Sequence, residues 1–237
     1  MKLIPAKTVV MQTSNVSVVP NTDNRDYMFD AYLNTQTVYA TKIEVEIDFD
    51  NIDRVALFNI DGTDVDLVLT DDDAAAIVQT KNVDLEMSDG EYTQWIIEPM
   101  YIYPNATLKV TINNVGSTAK CGLIGTGLST DIGDTSPSPG IGFTDYSIKT
   151  SDTFGQYYLV AGAWAKLPSI KTHIPYGNID SVYEDLVAVR GSLAFFEGNN
   201  DDTDYESLRV YGFIEDWRIK IDNSSVAWVT FDIKGAI

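Results

Sequence analysis

Residue types that carry out catalysis and redox chemistry are scarce in this chain, which has one histidine and one cysteine in 237 residues. A lone cysteine cannot form an intrachain disulfide, and the sequence around Cys121 is typical of a small buried side chain. His173 has no serine or cysteine partner in a recognisable motif, and the glycines of residues 122–127 lack the lysine and following helix of a phosphate-binding loop. These absences predict a protein that is not an enzyme and holds no cofactor.

Basic residues are also scarce, with 16 Lys and Arg against 35 Asp and Glu and a formal net charge of −19. Nucleic acids and anionic membranes are bound by clustered positive charge, so neither is a predicted partner. No apolar run approaches the roughly 20 residues that a membrane helix needs, and the N-terminal residues lack a secretory signal. The acid excess is larger in residues 1–118, with 19 acids and 7 bases, than in residues 119–237, with 16 acids and 9 bases.

Strict alternation between apolar and acidic residues marks Lys42 to Asp50. Because successive side chains of a strand point to opposite faces, Ile43, Val45 and Ile47 should lie in a core and Glu44 and Glu46 should face solvent. Similar runs recur through residues 1–128, and Asp61-Gly62 after one of them is typical of a hairpin turn. The fold class predicted for this part is mainly β, an antiparallel β-sandwich of jelly-roll type that resembles carbohydrate-binding modules.

A glycine-rich segment at residues 125–142 lacks hydrophobic periodicity and is expected to be a linker or long loop. We place a domain boundary there and predict a second β-rich (α+β) domain over residues 129–237. Its one helix is expected at residues 182–190, where Ser181 and Glu184 have the spacing of a capping box and Gly191 suits a left-handed residue after the helix. The strand-like runs at residues 217–221 and 226–233, on either side of Asn223-Ser224, predict a terminal hairpin.

Two groups of residues are candidates for binding in the sequence. Acidic turns at residues 61–66 and 200–204 offer oxygen ligands that Ca²⁺ accepts, but neither has EF-hand spacing, and a solvated turn is the simpler interpretation. Exposed aromatic rings stack on sugars or stabilise interfaces, while the alternative for such rings is the edge of a core. The candidate glycan-contacting aromatics are Tyr92, Trp95, Tyr101 and Tyr103.

Several segments of the second half resemble a family of tail proteins of tailed bacteriophages and prophages. They are residues 141–147 (IGFTDYS), 152–155 (DTFG), 163–166 (AWAK), 189–191 (VRG), 210–217 (VYGFIEDW) and 233–235 (IKG). The first half is similar to the family's N-terminal sandwich around residues 55–60 and 97–99. The resemblance implies a virion structural protein at the tail tip or baseplate, and it transfers no catalytic residues.

The resemblance implies a homo-oligomer that contacts other virion tail proteins and is assembled in the bacterial host cytoplasm before it resides in the virion tail. Subunit contacts are expected in the less acidic second half, including the loop at residues 125–142. The interface residues predicted there are Tyr146, Phe154 and Tyr211, although Tyr211 also fits burial in its own domain. The alternative function is a carbohydrate-binding module that contacts a host surface glycan, and a polysaccharide depolymerase is a third interpretation.

Overall fold

The structure is a computed structural model that describes residues 2–5, 7–8, 17–19, 24–30, 32–86, 95–136, 139–198, 206–222 and 225–236. It is mainly β, as predicted. The chain divides into a first unit, Ile4–Thr130, and a second unit, Asp131–Ile237 together with Met1–Leu3. The boundary predicted from sequence, between residues 128 and 129, lies beside this division. No helix among the described residues is long and apolar enough to cross a membrane.

Twenty-one strands are present in the described ranges, and they are numbered in chain order. They are β1 (Lys2–Pro5), β2 (Lys7–Thr8), β3 (Ser17–Val19), β4 (Thr37–Tyr39), β5 (Lys42–Asp48), β6 (Arg54–Asp61), β7 (Asp64–Asp71), β8 (Ala76–Asp84), β9 (Trp95–Pro99), β10 (Ala106–Asn113), β11 (Ala119–Gly127), β12 (Thr130–Asp131), β13 (Asp134–Thr135), β14 (Phe143–Asp145), β15 (Ile148–Ser151), β16 (Tyr157–Val160), β17 (Trp164–Lys166), β18 (Ser169–Pro175), β19 (Ala194–Glu197), β20 (Arg209–Ile221) and β21 (Val226–Gly235).

The first unit is an antiparallel β-sandwich. One sheet has the strand order β3-β5-β10-β7-β8, and the other has the order β2-β11-β6-β9 with β4 paired to β11. Apolar side chains from both sheets, such as Val45 and Leu67 from one and Leu57 and Ile124 from the other, form a single buried cluster. Removal of this apolar surface from water is the main source of stability for such a sandwich.

The orientation predicted for β5 is confirmed. Ile43, Val45 and Ile47 are buried, and Glu46 is exposed on the opposite face. Glu44 lies on that same outer face, where Lys42 and Lys109 donate to its carboxylate at 3.1 and 3.2 Å. These two lysines lower the pKa of Glu44, against the opposing effect of partial burial.

The hairpin predicted at Asp61-Gly62 is wrong, because β6 and β7 lie in different sheets. The chain crosses between the sheets at Gly62, where a Cβ atom would meet the Asn113 carbonyl oxygen at 2.8 Å. Glycine is therefore needed for close packing. A type I′ turn would require positive φ angles, and Gly62 does not have one.

The second unit contains a sheet of order β12-β1-β19-β20-β21-β18-β13. The terminal hairpin predicted from sequence is present as β20 and β21, with a bulge between Ile214 and Asp216. One helix, α1 (Ile179–Ala188), contributes Val182 and Leu186 to the same buried cluster as Val229 of β21.

The predicted start of this helix is wrong. Helix α1 begins at Ile179, so Ser181 lies inside the helix and cannot form the predicted capping box. A 3-10 turn at Tyr176–Asn178 leads directly into α1, and the residue at the N-cap is Asn178, whose side chain makes no capping hydrogen bond. The predicted left-handed residue after the helix is present, since Gly191 has a φ of +69°.

Replacing Leu186 with alanine should lower the free energy of unfolding of the second unit by about 2–5 kcal/mol, because the side chain is fully buried. The matched control is Ser181→Ala in the exposed part of the same helix, which should change it by about 0.5 kcal/mol or less. Urea denaturation followed by circular dichroism measures both. Equal midpoints for the two variants would contradict the packing of α1 on the sheet.

The glycine-rich segment at residues 125–142 is more regular than predicted. Strand β11 continues to Gly127, and the short strands β12 and β13 follow. The Asp53 carboxylate fixes the chain after β11, where it accepts hydrogen bonds from the Ser129 N–H at 2.6 Å and the Ser129 hydroxyl at 2.5 Å. The expectation of a linker without regular elements is therefore wrong for the described part of this segment.

Candidate functional site

The most exposed apolar feature of the described chain is a long hairpin in the second unit, residues 141–166, which we call the arm. Its base is the antiparallel pair β14–β17, in which Asp145 faces Trp164. Its outer half is the antiparallel pair β15–β16, in which Ile148 faces Val160 and Ser151 faces Tyr157. Neither pair joins a larger sheet among the described residues.

Glycine and short polar side chains allow the two halves of the arm to join. The Tyr146 N–H donates to the Ala163 carbonyl oxygen at 3.0 Å, and the Gly162 N–H donates to the Ser147 hydroxyl at 3.0 Å. A Cβ atom on Gly162 would lie 2.6 Å from the Tyr146 carbonyl oxygen, so a larger residue would push the strands apart. The chain thus passes from base to outer half without losing its pairing.

Two aspartates fix the bends of the arm. The Asp152 carboxylate accepts hydrogen bonds from the N–H groups of Phe154 and Gln156, both at 2.9 Å, at the tip. Asp145 accepts from Lys149 and from Ser147, and these hydrogen bonds hold the pKa of the Asp145 carboxyl well below its usual range. Asx bends of this kind pre-order a turn, which reduces the entropy that the arm would lose on binding.

Both faces of the outer half of the arm are apolar and exposed. All eight residues of β15 and β16 are exposed. One face carries Ile148, Tyr158 and Val160, while Tyr157 and Leu159 lie on the other at 77% and 71% exposure. An isolated two-stranded hairpin is marginally stable at best in water, and apolar patches of this kind mark interaction sites.

The base of the arm is held by the second unit. Ala165 in β17 is buried, and the Lys166 ammonium donates to the Arg209 carbonyl oxygen at 3.2 Å. The Lys234 ammonium lies 5.9 Å from the centre of the Tyr146 ring, in the range of a cation–π contact. The base of the arm thus contacts β20 and β21, and no described residue covers its outer half.

Charge separates the arm from the rest of the chain. Residues 141–166 contain two acids, Asp145 and Asp152, and two bases, Lys149 and Lys166, so the arm is neutral in a chain of net charge −19. Two acidic copies repel each other through most of their surface. The arm is a part of the molecule that a second copy can approach without that repulsion.

Two of the three predicted interface residues belong to the arm. Tyr146 is exposed at the bend, and Phe154 at the tip is 94% exposed. Tyr211 is fully buried within the second unit, where its ring packs 5.0 Å from that of Phe195. Tyr211 is therefore not exposed for a subunit contact, and its position agrees with the alternative expectation that it is buried in its own domain.

Sequence reasoning missed most of the arm's apolar side chains. It did not single out the strand Tyr157–Val160, which the arm exposes completely. The signal was available in the run Tyr157-Tyr158-Leu159-Val160, which has no polar residue at alternate positions. Such a run predicts a strand buried on both faces, and the described residues of this chain cover neither face.

The predicted aromatic rim of the first unit does not gather into one site. Tyr92 lies outside the described residues. Trp95 packs edge-on against Phe58 with ring centres 4.8 Å apart, and Tyr103 packs partly buried against the core, as the alternative interpretation expected. Tyr101 is exposed, and it follows β9 at the end opposite Trp95.

Tyr101 nevertheless has a defined position. Its N–H donates to the Gln79 side-chain oxygen at 2.7 Å, which ties the residue to β8 across the edge of the sandwich. Polar side chains lie at the same end of β7 and β10, where Asn105 donates to Asp73 at 2.7 Å and Thr107 donates to Asp72 at 2.8 Å. An exposed aromatic ring offers an apolar face on which a sugar can stack.

The acidic turn at residues 61–66 is satisfied by protein groups. Asn113 donates to Asp64 at 2.7 Å, and Asn82 donates to Asp66 at 2.8 Å. Within the described ranges, no three His, Cys, Asp or Glu side chains converge as metal ligands do. The second acidic turn, at residues 200–204, lies outside the described residues.

Comparisons with known proteins give weak similarity over about half of the chain. No protein-family model and no curated protein matches it. The lectin domain of lectinolysin complexed with Lewis B antigen is similar at 16% identity with a TM-score of 0.37, over 48% of this chain and 92% of that one. A mutant of the lectinolysin lectin-binding domain complexed with Lewis b is similar at 14% identity with a TM-score of 0.40, over 54% and 99%. A Streptococcus pneumoniae fucose binding module is similar at 15% identity with a TM-score of 0.38, over 47% and 89%. Similarity this low transfers no property of those proteins to this chain.

Proposed function

We propose that this chain is a non-enzymatic structural protein that assembles with copies of itself through the arm. The observation that carries the proposal is the exposure of all eight residues of β15 and β16, most of them apolar. A hairpin of this composition gains stability only when another surface covers it. Two aspartate-fixed bends hold it ready for such a contact, so little ordering is needed on assembly.

The charge of the chain supports assembly through the arm. An acidic surface keeps copies apart wherever they meet without a specific contact, and the neutral arm permits contact at one place. A protein of this type forms defined rings or clusters. Closed rings arise when the arm of each copy meets a different surface on the next.

The setting that we propose for this assembly is the tail tip or baseplate of a tailed phage, as a ring or fibre-attachment component beside other tail proteins. Support comes from the segments that resemble tail proteins, of which residues 141–147, 152–155 and 163–166 lie in the arm. The scarcity of catalytic residue types supports the non-enzymatic part of the proposal. The chain would be assembled in the host cytoplasm and reside in the virion tail.

Carbohydrate binding by the first unit is the second candidate function. It is favoured by the exposed ring of Tyr101, whose backbone N–H donates to the Gln79 side chain. The proteins compared above are glycan-binding modules and none is a tail protein, so they lie nearer to this candidate. Their TM-scores of 0.37 to 0.40 carry no argument for it. The two functions are compatible, because they use different units.

The test is the location and the association state of the chain. We expect the purified protein to form a defined oligomer in sedimentation velocity, and labelled antibodies to mark the tail tip of the virion in electron microscopy. A protein that stays monomeric over a wide concentration range contradicts assembly. Label on the capsid contradicts the tail setting, and glycan-array binding by the monomer supports the second candidate in its place.

A further inference from the structure

One edge of strand β20, in the sheet of the second unit, is paired over only part of its length. Strand β19 pairs with β20 only over Arg209–Gly212, whereas β21 pairs with β20 along its other edge as far as Ile221. Residues 213–221 therefore have one edge that no strand pairs with in the described part of the chain. Unpaired edges of this length are a template for another strand.

The side chains along this edge indicate that a strand is missing. Trp217 and Ile219 point toward the core cluster but are only partly buried, and Ile221 is exposed. Tyr183 of α1 covers Trp217 from one side, with ring centres 5.5 Å apart. A further strand beside β20 would bury the remaining apolar surface of these side chains.

The edge also limits which strands can pair with it. The bulge between Ile214 and Asp216 interrupts the regular backbone, so the regular edge runs over residues 217–221. Arg218 and Lys220 project from it toward solvent. Bulges and charges are devices that protect edges from indiscriminate pairing, so a strand that binds here must fit a short segment.

We infer that β16 of the arm from a second copy pairs with this edge of β20. The four residues of β16 fit within the five-residue regular segment, and as half of an isolated hairpin β16 has an outer edge without a described strand. Residues 213–221 carry two acids and two bases, so the neutral arm meets a neutral edge. Backbone hydrogen bonds would supply affinity, and apolar contacts with Trp217 and Ile219 would supply register.

This inference rests on the proposed self-assembly and names the surface that receives the arm. Arm and edge are different surfaces of the same unit, so each copy offers one of each. Such heterologous contacts generate rings when the rotation closes, which agrees with the ring proposed above. The contact would join a hairpin that is marginal in one copy to a sheet that is incomplete in the next.

Disulfide trapping between separately purified variants tests the contact. The full-length Leu159→Cys protein is mixed with Arg218→Cys, Ile219→Cys or Lys220→Cys under mild oxidation. The native Cys121 does not interfere, because burial raises the pKa of its thiol. The control mixes Leu159→Cys with Val115→Cys, an 82% exposed loop position in the first unit.

We expect Leu159→Cys to cross-link either with Ile219→Cys or with the two variants Arg218→Cys and Lys220→Cys. It should not cross-link with variants of both faces. Neighbouring residues of a strand point to opposite faces, so only one set can meet Leu159→Cys within disulfide distance. Trapping in an assembled interface should be on the order of 1,000-fold faster than in the control mixture at micromolar protein, given millimolar effective concentrations. Arg218→Cys and Lys220→Cys keep the test valid if Ile219→Cys weakens the core.

The other outcomes separate this inference from the proposed function. Disulfide-linked dimers of Leu159→Cys alone, with none to the edge variants, would show that arms pair with arms, which overturns the inference and leaves self-assembly standing. Equal rates with the edge and control variants would indicate random collision and overturn the inference. A wild-type protein that is monomeric throughout would overturn both.

Discussion

Substituting alanine for Gly212 should destabilise the second unit by about 3 kcal/mol or more, because the new Cβ atom has no room. Gly212 lies in β20 between β19 and β21, opposite Gly235. A Cβ atom at this position would stand 2.1 Å from the Lys234 carbonyl oxygen and 2.8 Å from the Gly235 Cα atom. These are backbone atoms, so relief requires the two strands to separate and lose hydrogen bonds on both sides.

The control for this prediction is Gly177→Ala in the same unit. Gly177 has a φ that alanine can adopt, and no heavy atom lies within 4 Å of the position that a Cβ atom would take there. This variant should change the free energy of unfolding by about 0.5 kcal/mol or less. Three of the four tryptophans, at positions 164, 217 and 228, lie in the second unit, so denaturation followed by tryptophan fluorescence reports mainly on it. Equal stability of the two variants would contradict the close approach of β20 and β21.

The alternation of apolar and acidic residues predicted the sandwich, because the period of two along a strand can be recognised from the local sequence alone. The outward acids of β5 could be placed from sequence, since an unpaired buried carboxylate is costly and an apolar face must be covered. Asp61-Gly62 was misread because the same dipeptide serves a hairpin or a crossing between sheets. What decides between them is the position of Asn113, which is 51 residues away from Gly62 in the sequence and touches it only in the folded unit.

The arm was only partly predictable for a related reason. Sequence reasoning identified Tyr146 and Phe154 through a family resemblance, but it did not single out the apolar strand between them and Trp164. It could not foresee that, among the described strands, β16 pairs only with β15, because an apolar run has the same pattern whether its own chain or another copy buries it. The prediction of the start of α1 failed for another reason. A 3-10 turn leads directly into the helix, so the helix begins before the predicted cap residue Ser181.

Replacing Leu159 with aspartate should weaken self-association by about 10- to 100-fold, because burial of one large apolar side chain is worth roughly 1.5–3 kcal/mol and a tenfold change in affinity costs 1.4 kcal/mol. Leu159 is exposed in the single copy, so its own unit loses little stability. Thermal melting of the monomer should therefore change little, while sedimentation equilibrium shows a larger dissociation constant. Loss of association with unchanged folding is the signature of an interface residue.

Val115→Asp provides the matched control for that result. It removes an exposed apolar side chain and adds the same charge, but it lies in the loop between β10 and β11 of the first unit. If general repulsion between acidic copies governed association, both variants would weaken it equally, since each raises the net negative charge by one. If the arm forms the contact, only Leu159→Asp weakens it. Association that survives Leu159→Asp unchanged would remove the arm from the interface, and with it the physical basis for assembly through residues 141–166.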